Sequence, residues 1–195
     1  MKIFMRLTLI YVLFFLAALN EYCAQNFKVE IFQNDRPVEI LDQTVELEKK
    51  EFQIRVTLKK IEGVYMNASY QKDYFGLKPS EPIKDYEYID LKTMAEAEYN
   101  TDKELFIHNE YFNYLFYNKA KDWHRFDKGV VAKRTKAIGT KTVQKLWLVN
   151  SKKSVNLKEN QKDLYLFFVA KNEEETTKIQ EELGRLKIHI PWKRF

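Results

Sequence analysis

Phe52, Ile54, Val56 and Leu58 recur at strict period two against Gln53, Arg55 and Thr57, a spacing that sends successive side chains to opposite faces of an extended chain. A helix would scatter these residues around its axis, so the segment reads as a strand with one buried face. The same alternation places Phe27, Val29 and Ile31 on a first strand ended by the turn cluster Asn34-Asp35-Arg36-Pro37. It recurs at Val45 and Leu47, and again at Leu186, Ile188 and Ile190 before Pro191. Leu164-Tyr165-Leu166-Phe167-Phe168-Val169 is different, six apolar residues without a break, as expected of a central strand covered on both faces.

Further strands are expected at Val64–Tyr70, Gly129–Val131 and Lys141–Val149, set out at the short spacing of sandwich folds. Aromatic residues make up 15% of the chain, and with the β-branched residues they favour strands over helices. The sequence therefore predicts a mainly β protein, a single antiparallel β-sandwich of immunoglobulin-like or jelly-roll-like type. One short helix is expected near the C-terminus, where Asn172 and Glu175 resemble a capping box, Ile179 and Leu183 lie four apart, and Gly184 suits a C-terminal cap. Residues 103–118 carry two aromatic runs separated by His108-Asn109-Glu110, which favour a β-hairpin over a helix started by Thr101 and Glu104. Residues 71–90, with Gly76, Pro79 and Pro82, read as a long loop, and Tyr70, Tyr74, Tyr86 and Tyr88, which accompany it, are candidate recognition residues.

The chain opens with Lys2 and Arg6 followed by an uncharged, mostly apolar stretch from Leu7 to Leu19. That stretch is shorter than the roughly 20 residues a membrane-crossing helix needs, and it matches a secretory signal peptide over residues 1–25. Cleavage after Ala24 or Gln25 frees the mature chain, in which residues 26–195 form one β-rich domain, placed in the periplasm or secreted. Removal of the signal takes away Cys23, the one cysteine, and with it any disulfide or thiolate chemistry. Acylation of Cys23 is the alternative, although Asn20, Glu21 and Tyr22 are a poor match to the small residues that precede a lipidated cysteine; only then would the protein be membrane-attached.

No serine lies in a Gly-x-Ser-x-Gly elbow, and His108, His124 and His189 lack the spacing of a helical zinc site. No phosphate-binding or dinucleotide-binding glycine pattern is present, so no metal and no cofactor is expected. The densest grouping of chemistry is Asp122-Trp123-His124-Arg125-Phe126-Asp127. Trp123 offers a flat face to a sugar ring or a cation, Arg125 a bidentate donor, and Asp122 or Asp127 could orient His124. The competing expectation is a structural corner in which the aromatics fill the core while the charged residues pair and satisfy backbone groups. The net charge of +5 includes a central cluster of Lys128, Lys133, Arg134, Lys136, Lys141 and Lys145, read as a solvated face. The expectation for function is an exported, non-catalytic binding or structural protein of the envelope. Its partner would be a glycan or another envelope protein rather than nucleic acid. A small hydrolase or lyase built on residues 122–127 is the alternative.

Overall fold

The computed structural model describes residues 26–74, 103–108, 113–117, 122–124, 126–132, 136–173 and 180–193. The expected signal segment lies outside them. So do Arg125, Tyr86 and Tyr88. No helix among the described residues is long and apolar enough to cross a membrane.

The alternating segments form two antiparallel sheets. In the first are β1 (Phe27–Gln33), β2 (Arg36–Val38), β3 (Phe52–Lys59), β8 (Lys128–Ala132) and β9 (Lys136–Val143), in the order β2-β1-β3-β9-β8. The second contains β4 (Gly63–Ser69), β5 (Glu104–Ile107), β6 (Asn113–Tyr117), β7 (Asp122–His124), β10 (Lys145–Leu148), β11 (Lys153–Asn156), β12 (Leu164–Glu173) and β13 (Gln180–Ile190). Its main path is β11-β10-β5-β4-β12-β13, and β6 joins β4 to β7. Inward residues from both sheets, among them Ile31, Ile54, Val56, Leu58, Val64, Met66, Leu166 and Phe168, form one core, which makes the protein the β-sandwich its patterning predicts.

Local chemistry sets the turns. Asn34 and Asp35 sit at φ 55° and 59°, the pair of left-handed conformations that a two-residue hairpin turn needs and that Asn and Asp tolerate. Pro37 lies in β2, the outermost described strand of its sheet, where its missing N–H breaks no internal ladder. Gln33 points inward and is buried, yet its amide is used on both sides. Its Nε2 donates to the carbonyl of Glu48 at 3.0 Å, and its Oε1 accepts from the Glu48 N–H at 2.9 Å. One side chain thus fixes the turn that feeds β3. Residues 44–47, expected as a strand, instead run beside the far edge of β13, held by Val45 N–H to the His189 carbonyl and Lys193 N–H to the Leu47 carbonyl.

Two sequence expectations change. At the expected C-terminal helix the described residues are strand: Asn172 and Glu173 close β12, and Leu183 and Gly184 lie within β13, opposite β12. Residues 174–179 lie outside the described residues, and helical structure in this half of the chain is confined, among those described, to the 3-10 turn Leu157–Glu159. The capping signals are local, whereas β12 needs a partner along ten residues, and the backbone ladder outweighs them. Gly184 serves a different end. Pairing steps from Ala170↔Gly184 to Lys171↔Glu182, leaving Leu183 as the extra residue of a bulge.

Within 103–118 the described residues form the strands β5 and β6, but among the described residues β5 and β6 do not pair with each other. Both lie along the same edge of β4, β5 through Ala68↔Leu105 and β6 through Met66↔Asn113. They lie one after the other along that edge, β5 ending at Ile107 and β6 beginning at Asn113.

The chain passes between the sheets at β3–β4, at β7–β8 and at β9–β10. At the second passage Phe126 is buried in the core against Gly139 of β9, where an added Cβ would lie 2.9 Å from Leu115 Cδ2 and 3.0 Å from Phe126 Cδ1. Glycine here lets the crossing chain pack onto the strand. Gly139→Ala is therefore expected to destabilise the protein by about 1–2 kcal/mol through overpacking, measured as a shift of the urea midpoint at unchanged slope; wild-type stability would show that Leu115 and Phe126 give way freely.

Candidate functional site

The 122–127 grouping sits where the chain leaves the second sheet for the first. Asp122, Trp123 and His124 form β7 and pair through Tyr117↔Asp122, Phe116↔Trp123 and Leu115↔His124. Phe126 and Asp127 then make the crossing into β8. Asp127 donates its backbone N–H to the Thr140 carbonyl at 2.9 Å, and its carboxylate accepts from the Thr142 N–H at 2.5 Å. The same carboxylate lies 3.4 Å from Lys141 Nζ. The buried Phe126 and the bonded Asp127 thus act as parts of a corner.

Lys141 departs from the sequence reading, which places it on a solvated face. It alternates in phase with Ala137, Gly139 and Val143, the inward residues of β9, and it is 1% exposed. The signal was available in that alternation, though a lysine in a basic cluster reads more naturally as solvated. An ammonium group this deep requires a counter-charge, and Asp127 supplies one from the neighbouring crossing. Desolvation pushes the Asp127 carboxyl up, but the Thr142 N–H and the Lys141 charge outweigh it and hold the group below the usual carboxylate value.

His108 stands at the end of β5, where its N–H donates to the Lys145 carbonyl at 2.8 Å. Its φ is 77°, and its Nδ1 is buried without a hydrogen-bond partner. Desolvation, followed by the charge of Lys141, pushes the imidazole below its ordinary range, opposed by Asp127. Between these groups Gln144 forms a one-residue corner from β9 to β10 and donates to Glu51 Oε2 at 2.7 Å.

Nearby, beside the β1–β2 turn, lies a half-open cleft of about 170 Å³ lined by Phe32, Asn34, Asp35, Lys50, Glu51 and Gln53, among others. The Arg55 guanidinium lies 4.2 Å from the Phe32 ring centroid, which orders both side chains. The wall combines aromatic surface with amide donors and carboxylate acceptors. Sequence reading missed it because its residues come from a turn and from the start of a strand 15 or more positions away.

Of the tyrosines expected to line a recognition surface, Tyr70 packs against the core. Tyr74 meets Phe167 edge-on at 6.1 Å and donates to Glu104 Oε2 at 3.0 Å. Among the described residues no group of three or more His, Cys, Asp or Glu side chains is placed to hold a metal ion. Comparison with known proteins finds no match to a family model, to a curated protein or to a solved structure.

The ion pair makes an asymmetric prediction. Asp127→Ala leaves a buried ammonium without that carboxylate and removes the cap on Thr142, so it is expected to cost about 2–3 kcal/mol. Lys141→Met keeps the volume and removes the charge, and is expected within about 1 kcal/mol of wild type or above it. Chemical denaturation of the two variants checks the order, and a Lys141→Met variant as unstable as Asp127→Ala would contradict it.

Proposed function

We propose that this chain is an exported, non-catalytic β-sandwich module of the cell envelope, and that it binds a glycan in the cleft beside the β1–β2 turn. The observation that carries the reading is the composition of that cleft. An aromatic side chain, Phe32, lies among Asn34, Gln53, Asp35, Glu51 and Lys50. A sugar unit offers an apolar C–H face to an aromatic ring and hydroxyls that both donate and accept, which this set matches. The volume, about 170 Å³, falls below the roughly 300–1,000 Å³ of pockets that engulf drug-sized ligands, which suits one unit of an extended chain held at the surface.

The export signal of the sequence supports placement in the envelope. Support for a non-catalytic role comes from the structural use made of polar side chains: Asp127 and Lys141 hold strands together, Gln33 satisfies the backbone of Glu48, and Asn67 donates to the buried Glu104 carboxylate.

A glycan array probed with the protein lacking residues 1–25, followed by calorimetry on the best ligand, tests the proposal. Phe32→Ala and Gln53→Ala are expected to keep the fold and weaken binding about tenfold or more. Failure of the folded protein to bind any glycan, or undiminished binding by both variants, would sink it.

A further inference from the structure

The corner around His108 lies apart from the proposed glycan cleft except for Glu51, which belongs to both. His108 directly follows β5, which pairs with β4, and its φ of 77° is a left-handed conformation uncommon outside glycine, though tolerated by histidine. Its N–H holds the Lys145 carbonyl at 2.8 Å, immediately after the single residue, Gln144, on which β9 turns into β10. The charges that act on its imidazole are those of Lys141 of β9, Asp127 of the β7–β8 crossing, Lys145 of β10 and Glu51 ahead of β3. Two of these four are cations. Asp127 is engaged with Thr142 and Lys141, and Glu51 accepts from Gln144.

A neutral imidazole can leave Nδ1 as an unprotonated acceptor, at the modest cost of one unfilled lone pair. The imidazolium form needs an acceptor for an N–H at both ring nitrogens. Nδ1 is buried without a partner, so protonation there would create an unsatisfied buried donor and add a positive charge beside Lys141 and Lys145. We propose that His108 is an acid-sensitive latch on the corner joining the two sheets: protonation of its imidazole loosens the junction of β5 with β10 and the turn at Gln144.

The direction follows from linkage. The folded-state imidazole lies below its ordinary value of 6.5, so on acidification the unfolded or opened chain takes up the proton first. Stability is full above that value and is lost as pH falls toward and through the folded one. Asp127 is held below 3.8, so its own loss belongs to a lower window and does not overlap.

The melting temperature of the protein lacking residues 1–25, measured between about pH 7.5 and pH 5, is expected to fall by roughly 3–6 °C. Asparagine tolerates the left-handed conformation, so His108→Asn is expected to flatten that dependence. His189→Gln, which removes the imidazole bonded to Asp163 at 2.9 Å, is expected to preserve it. An unchanged pH dependence in His108→Asn, or its disappearance in His189→Gln, would overturn the proposal. Should His108→Asn fail to fold, NMR titration of the His108 ring in the wild-type protein decides the matter: a midpoint at or above 6.5 refutes the latch, and one clearly below it supports it.

Discussion

A charged nitrogen between two apolar sheets is the constraint around which this sandwich is arranged. Lys141 points inward from β9 in a row otherwise made of Ala137, Gly139 and Val143. An ammonium ion in such a place is tolerated only with a counter-charge close by. That counter-charge comes from Asp127, which sits on the crossing from β7 to β8. The carboxylate also takes the Thr142 N–H, so it ties the crossing to the strand that carries the lysine. Two residues further on, Gln144 turns that strand into the other sheet. The crossing into β8 and the end of β9, from which the chain leaves the sheet, are thus fastened to each other by an ion pair and by hydrogen bonds of Asp127 to Thr140 and Thr142.

The second sheet is more than one wall of the core. Along β4, Val64, Met66 and Ala68 join the inter-sheet core, while Tyr65, Asn67 and Ser69 on the opposite face are buried as well. The outer side of β12 behaves alike, with Phe167 and Val169 each 1% exposed. Polar groups on this outer face are satisfied by each other. Asn67 Nδ2 donates to Glu104 Oε1 at 2.6 Å, the Tyr74 hydroxyl to Glu104 Oε2, and the Ser69 hydroxyl to the Lys103 carbonyl at 2.5 Å. A buried carboxylate held by an amide and a phenol gives the sheet a polar, directional contact that apolar packing alone lacks. The outer face of the first sheet is wetter: Thr57, Thr140 and Thr142 alternate with the core residues and remain partly exposed.

Strands announced themselves wherever burial followed a local period. The alternation over Phe52–Leu58 and the apolar run Leu164–Val169 match β3 and β12, because side-chain direction in a strand depends only on the parity of the position. The Asn34-Asp35 turn was equally legible, since its two residues meet the conformational demand themselves. Asn172, Glu175 and Gly184 misled because capping patterns describe what a free segment prefers, while β13 is fixed by a ladder to β12. The aromatic runs of 103–118 revealed strands but not their pairing. Which edge a strand joins is decided by distant residues, here Ala68 and Met66 of β4. Of the candidate grouping, Asp127 was visible as a charge in an unusual setting, but its partners Lys141 and Thr142 lie more than a dozen residues downstream. The cleft at Phe32 left no local signature.

The sequence by itself determined that this chain forms a mainly β sandwich, which residues fill its clearest core strands, and where the turn from β1 to β2 falls. These follow from periodicity and from the backbone preferences of single residues, and both are local properties. Only the tertiary structure decided that β5 and β6 share an edge of β4 and that the C-terminal segment extends as a strand. It also decided that Lys141 is buried beside Asp127 and that His108 stands at the corner between the sheets. Each of those outcomes depends on contacts between segments far apart in the chain, where the strength of an electrostatic or hydrogen-bonding interaction is set by distance and burial rather than by residue type.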